Sequence, residues 1–100
     1  MDTFIRISAE KAHEIIASGP VTIADIRDAG SFAQGHIDHA QNVNDGNIKT
    51  FLETSKEIPL ICYCYHGFSS QSAADYFAGQ GFKQVYSIDG GWEAWKSIYG

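Results

Sequence analysis

Two cysteines one residue apart open the stretch CYCYHGFSS, residues 62–70, which follows the apolar residues Leu60 and Ile61 and runs into a helical pattern. A thiol at such a junction can be core filler, a metal ligand, a redox switch or a nucleophile. Position separates the two. Cys62 lies inside the apolar run LICYC and reads as core, since free cysteine is among the most buried residue types. Cys64 ends that run, just before YHGFSS, where loop N–H groups and a helix N-terminus converge into a nest for an anion. A thiolate placed there is stabilised by those donors and by the helix dipole, so its pKa falls. Gly67 lets the loop curl without a Cβ clash, and Ser69 and Ser70 can cap the helix or turn a hydroxyl toward the sulfur. Such a setting suits an activated sulfur nucleophile.

Three other chemistries compete for the same residues. C-x-C-x-H has ligand types for zinc, but structural zinc sites use wider cysteine spacing and four ligands. Cys–His catalysis needs a base opposite the thiol, whereas His66 sits in the same loop with no oxyanion-hole signature beside it. Phosphoryl transfer through cysteine needs an arginine to grip the phosphate. The chain carries only seven Lys and Arg, and none lies between Cys64 and Lys83. A disulfide between Cys62 and Cys64 would close a strained, tiny ring, so both are expected as free thiols in a reducing compartment.

The elements that must position Cys64 follow from periodicity. FIRI reads as a strand leading to Ser8, an N-cap for a helix with Ala12, Ile15 and Ile16 on one face, stopped by Gly19-Pro20. VTIADI is a second strand, SFAQG holds one helical turn, and AQNVN is a brief strand. Ile48, Phe51 and Leu52 stripe a helix expected to end near Pro59. LICYC is a strand buried on both faces. Ala73, Ala74, Phe77 and Ala78 make the apolar face of the next helix, ended at Gly79 or Gly81. QVYSI is a further strand, Gly90-Gly91 a turn, and Trp92, Trp95, Ile98 and Tyr99 mark a closing helix. Strand–helix alternation over 100 residues predicts one α/β domain, residues 1–100, with a largely parallel sheet and helices on both sides. Ligands gather at the carboxyl ends of strands in such sheets, which is where Cys64 falls.

Composition removes several function classes. A formal net charge of −5 argues against a nucleic-acid binder. No apolar run is long enough to span a bilayer and MDTFIRISAEK lacks signal-peptide character, so a soluble, cytoplasmic protein is expected. Asp25 and Arg27 follow a strand end and read as a structural ion pair or loop anchor. His36 reads as a loop-fixing hydrogen bonder, and Trp92 and Trp95 as core aromatics.

Four ordered fragments carry a family resemblance: ADIRD (24–28), SFAQGHIDHAQNV (31–43), CYHGFSSQSAADYF (64–77) and GFKQVYSIDGGWEAW (81–95). Together they resemble the rhodanese family, and within it the small single-domain GlpE-type thiosulfate sulfurtransferases. The resemblance implies a five-stranded, mainly parallel sheet flanked by helices on both faces. It implies that Cys64 carries sulfur as a persulfide, and that Cys64 to Ser69 form a six-residue active-site loop whose amides 65 to 69 cradle the terminal sulfur. Tyr65, His66, Gly67, Phe68, Ser69 and Ser70 then line the substrate site, with Arg27 at its side. The related cell-cycle phosphatases use a loop one residue longer ending in arginine, where this chain has Ser70. Many rhodaneses have arginine where Ser69 stands, although GlpE-type members share the serine, and some have a basic residue where Tyr65 stands, so weak binding of a doubly charged donor is expected. Phe68 makes the mouth more apolar than in relatives. The implied reaction moves sulfur from a small anionic donor such as thiosulfate to a thiophilic acceptor: cyanide, or a dithiol protein such as a thioredoxin. It requires no metal or organic cofactor. The alternatives are a sulfur-relay or non-catalytic module serving a protein partner and, more remotely, a phosphatase or arsenate reductase on the same scaffold.

Overall fold

The computed structural model describes residues 3–100. Five strands and five helices alternate: β1 (Ile5–Ile7), α1 (Ala9–Ser18), β2 (Thr22–Asp25), α2 (Ala29–Gln34), β3 (Gln41–Asn42), α3 (Ile48–Phe51), β4 (Leu60–Tyr63), α4 (Ser69–Gly79), β5 (Val85–Ile88) and α5 (Gly91–Tyr99). The strands form one sheet in the order β1-β5-β4-β2-β3, and all four pairings are parallel. The expected five-stranded sheet is present; "mainly" parallel becomes wholly parallel among the described residues.

Side chains alternate across each strand, so one strand feeds two cores. Ile61 and Tyr63 of β4 join Ile23, Ile88, Trp92 and Trp95 under α1 and α5. Leu60 and Cys62 point the other way, joining Ala74, Phe77, Phe82 and Val85 under α3 and α4. Strand β4 is buried at every position, as a central parallel strand covered by helices on both faces must be. The same alternation sends Cys64 toward α4, two residues beyond Cys62.

Local chemistry sets the helix ends. Ser8 caps α1 by accepting the Lys11 N–H at 3.0 Å, as its position predicts. α2 begins earlier than the SFAQG reading: Asp28 is its N-cap, accepting from the Ser31 N–H at 3.0 Å and the Ser31 hydroxyl at 2.8 Å. α3 is a single turn that stops at Phe51, well short of Pro59. The chain then tightens, with Glu53 and Thr54 N–H groups donating to the Thr50 and Phe51 carbonyls, and the Lys56 ammonium donates to the Leu52 carbonyl. The stripe Ile48–Phe51–Leu52 reports burial correctly, but burial of one turn does not require a longer helix.

Candidate active site

Cys64 directly follows the central strand β4 and Ser70 lies in the first turn of α4, so the five residues between them must turn back over the carboxyl edge of the sheet. The turn wraps the sulfur. Cys64 Sγ accepts the Gly67 N–H at 3.1 Å and the Ser70 N–H at 3.3 Å, with the Ser70 Oγ at 3.4 Å. Burial pushes the Cys64 thiol up, but the Ser70 hydroxyl and the N–H groups of Ser70, Gly67 and His66 outweigh it, and the net pKa falls below the ordinary thiol value. Cys62, two residues earlier and fully buried, has no such donors. Burial alone pushes its thiol strongly upward, and it is inert core.

What holds the loop open toward the sulfur is its outer hydrogen bonding. The N-terminus of α5 donates to it from behind: Trp92 N–H to the Cys64 carbonyl at 2.8 Å, and Glu93 N–H to the Tyr65 carbonyl at 3.1 Å. Gln71 Nε2 donates to the Gly67 carbonyl at 2.9 Å. Peptide planarity makes N–H and C=O point in opposite directions, so anchoring these carbonyls outward turns the amides of Tyr65, His66 and Phe68 away from the anchors.

This arrangement needs close backbone approach. Gly67 has φ +91°, and a Cβ there would lie 2.6 Å from the Gly90 nitrogen. Gly91 has φ +55°, and a Cβ there would strike the Cys64 carbonyl oxygen and come within 2.9 Å of the Gly67 nitrogen. Gly91 therefore does more than make the expected turn: with Gly67, it lets α5 press against the cysteine loop.

The other expected site residues occupy distinct places. Tyr65, His66, Phe68 and Ser69 are exposed on the rim, Phe68 most of all at 77%. Ser69 is the first residue of α4 and Phe68 its N-cap, without a side-chain capping bond, so of the two uses expected for the serines, capping is not the one found. The Ser70 hydroxyl is turned toward the sulfur instead. The amides on Sγ include that of Ser70, beyond the 65–69 stretch.

Arg27 forms the expected ion pair. Its Nη2 lies 2.7 Å from Asp25 Oδ2 and donates to the Gly35 carbonyl at 2.6 Å, with both carboxylate and guanidinium buried. Burial works to lower its pKa, but Asp25 prevails and the value is raised. The guanidinium also sits 4.9 Å from the Trp92 ring centre and 5.4 Å from that of Tyr65, so it braces the loop through aromatic faces. His36 fixes its loop through Nδ1, 2.7 Å from the Phe32 carbonyl oxygen, and its ring stacks on Phe32 at 3.8 Å. Among the described residues no group of three or more His, Cys, Asp or Glu is placed to hold a metal ion.

Three features escape a reading of the sequence alone. The α5 N-terminus and Gln71 act through backbone carbonyls, which no residue type announces. The third, Ser87 on β5, places its Oγ 2.8 Å from Ser70 Oγ. Its signal was a serine at an inward position of the apolar run QVYSI.

A cysteine held by loop amides at the carboxyl edge of a five-stranded parallel sheet defines the rhodanese-like class of domain. The family model described as "Rhodanese-like domain" matches residues 8–98. The thiosulfate sulfurtransferase GlpE of Pseudomonas aeruginosa strain LESB58 is 46% identical over 99 residues, covering 98% of this chain and 89% of the relative. That of Ectopseudomonas mendocina is 47% identical over 100 residues, covering 99% and 91%. The crystal structure of a rhodanese-related protein from Thermoplasma volcanium superposes with a TM-score of 0.81 at 21% identity, covering 96% of this chain and 94% of that one. This chain belongs to the rhodanese family.

Proposed function

We propose that this chain is a thiosulfate sulfurtransferase working through a Cys64 persulfide. The observation that carries the reading is the sulfur's environment: two backbone N–H groups and a serine hydroxyl on Sγ, at the start of α4. The two GlpE relatives, similar over nearly the whole chain, supply the donor.

In the first half-reaction the Cys64 thiolate attacks the outer sulfur of thiosulfate. A new S–S bond forms, the S–S bond of thiosulfate breaks, and sulfite leaves with the electron pair. In the second, a thiophilic acceptor attacks the terminal sulfur of the persulfide and Cys64 leaves as thiolate. The donors that lower its pKa make it a better leaving group, so one set of contacts serves both steps. Gly67, Ser70 and the loop amides hold the charge, while Tyr65, His66, Phe68 and Ser69 form the mouth. Arg27 acts on donor binding by bracing Tyr65. With no cation in the loop, the donor is bound weakly. A phosphatase on this scaffold is disfavoured because Ser70 stands where an arginine would grip the phosphoryl group.

The acceptor in this reading is a dithiol protein such as a thioredoxin. Phe68, Tyr65 and Tyr76 are exposed around the loop and on α4 and offer apolar side chains to a protein partner. A cleft of about 630 Å³ lies at the carboxyl ends of β2 and β3 against α4, lined by Ile26, Val43, Ile48 and Tyr76 among others, and offers room for a partner's loop. Both cysteines are free, which fits a reducing cytoplasm. Among the described residues no helix is long and apolar enough to cross a membrane.

The test is steady-state turnover of thiosulfate and cyanide to thiocyanate. Parallel double-reciprocal lines, expected of a covalent intermediate, support the reading, as does loss of turnover in Cys64→Ser. Full turnover in Cys64→Ser contradicts it.

A further inference from the structure

Ser87 is fully buried on β5, opposite Cys62 of β4 in the sheet register. Its face of the sheet is otherwise apolar: Leu60, Cys62 and Val85 flank it, and Ala74 and Phe77 of α4 cover that side. A hydroxyl in such a place is unfavourable unless it is hydrogen-bonded, and an alanine methyl would pack there at no such cost. The partner Ser87 has is Ser70 Oγ at 2.8 Å, and Ser70, also fully buried, is the residue whose hydroxyl lies 3.4 Å from Cys64 Sγ. Three elements (the end of β4, the first turn of α4, and β5) thus contribute one group each to a linear chain of sulfur and two hydroxyl oxygens.

We propose that Ser87 is a positioning residue for the reactive sulfur: its hydroxyl donates to Ser70 Oγ and so aims the Ser70 proton at Cys64 Sγ.

Proton counting gives the chain its direction. Three groups in a row share two links, Ser87 to Ser70 and Ser70 to sulfur. The thiol form carries three protons, so one must point out of the chain. The thiolate form carries two, one for each link, and with Ser87 donating to Ser70 both run toward the negative sulfur. Hydrogen bonds in series polarise one another, which strengthens the Ser70 donation where charge sits on the sulfur. That state occurs twice in the proposed cycle, as attacking thiolate and as leaving group when the persulfide is discharged. The third proton, lost on ionisation, does not leave through Ser87, which is sealed from solvent.

The titratable groups nearest this chain do not compete for the role. Cys62 is locked in the core, and Asp89 is paired with Arg6. His66, Tyr65, Asp75 and Glu93 are exposed, on the rim of the loop or the outer faces of α4 and α5.

The test is the pH dependence of iodoacetamide alkylation at Cys64, located by peptide mass, in wild type, Ser87→Ala, Ser87→Thr, Ser70→Ala and the double alanine variant. Loss of a neutral donor once removed from the sulfur should raise the midpoint in Ser87→Ala by roughly half a unit, and loss of the direct donor in Ser70→Ala by about one. Half a unit lowers the thiolate fraction about threefold at a pH below the midpoint. Ser87→Thr keeps the hydroxyl and should keep the wild-type midpoint. The decisive result is non-additivity: on the Ser70→Ala background, Ser87→Ala should shift nothing further. A Ser87→Ala midpoint equal to wild type, with only thermal stability changed, would assign Ser87 a structural role and overturn the proposal. So would a shift that persists without Ser70. The proposal rests on Cys64 as sulfur carrier only for its catalytic consequence. Alkylation needs no sulfur donor, so failure of the sulfurtransferase reading would leave this readout intact.

Discussion

Replacing Gly91 by alanine adds one methyl group at the point where α5 meets the cysteine loop. The Cβ would overlap the Cys64 carbonyl oxygen and approach both the Gly67 nitrogen and the Tyr65 carbonyl carbon to 2.9 Å. All three are backbone atoms, so no flexible side chain can swing away. The left-handed φ of +55° adds its own strain for a residue with a Cβ. Together, overpacking and left-handed strain come to roughly 2–5 kcal/mol, or about 10–30 °C in Tm for a domain of this size. The loop must then move off α5, breaking the Trp92 and Glu93 donations that orient its peptides. Turnover of thiosulfate should therefore fall by more than tenfold even at temperatures where the variant stays folded, since a misplacement of about 1 Å costs on the order of a hundredfold. Gly79→Ala is the matched control: it lies on α4 and a Cβ there meets nothing within 4 Å. It should be neutral or slightly stabilising, by about 0.4–1 kcal/mol. Thermal melts and steady-state rates on both variants decide. A Gly91→Ala protein with wild-type Tm and turnover would refute the claim that α5 sets the loop.

Cys64 and Cys62 should leave opposite marks on stability against pH. The lowered Cys64 pKa means the unfolded chain binds more protons between the folded value and the unfolded value near 8.5, so stability rises with pH through that window and is lost as pH falls through the folded pKa. Urea melts should show Cys64→Ser lacking this rise. The raised Cys62 pKa makes stability fall above about pH 8.5, where only the unfolded thiol ionises, and Cys62→Ala should flatten that fall. Asp25→Asn leaves the Arg27 guanidinium buried without its counter-charge and should cost about 3–5 kcal/mol by denaturant titration. Phe68→Ser removes an exposed side chain and should change stability by less than about 0.5 kcal/mol. It should leave cyanide turnover within about twofold while slowing persulfide discharge to a dithiol protein several-fold, because a contact surface is lost without the chemistry. Equal effects on both acceptors would contradict a docking role for Phe68.

Cys64 was legible because a single residue's type and position, a thiol at the end of a doubly buried strand before a glycine loop, already restrict its chemistry. The burial of Cys62 and the Ser8 cap were legible for the same reason: each depends on near neighbours in sequence. Ser69 and Ser70 show the limit. Either serine could cap by spacing, and only the path of the loop decides that Ser70 faces the sulfur and Ser69 the solvent. The length of α3 is not legible in the sequence, because an apolar stripe reports which side chains are buried, not how many turns bury them. Gly90 and Gly91 read as a turn, but the second use of Gly91 depends on backbone 27 residues away, at Cys64. Ser87 lies 17 residues from Ser70, and their meeting requires β5 to sit beside β4, which periodicity does not specify.

The central claim, that Cys64 carries sulfur covalently, is tested most directly by intact mass. Wild type and Cys64→Ser are measured before and after thiosulfate, then after cyanide. The wild type should gain the mass of one sulfur atom and lose it as thiocyanate, and Cys64→Ser should gain nothing. A wild-type protein that turns thiosulfate over without gaining sulfur, or a Cys64→Ser protein that gains it, would contradict the account.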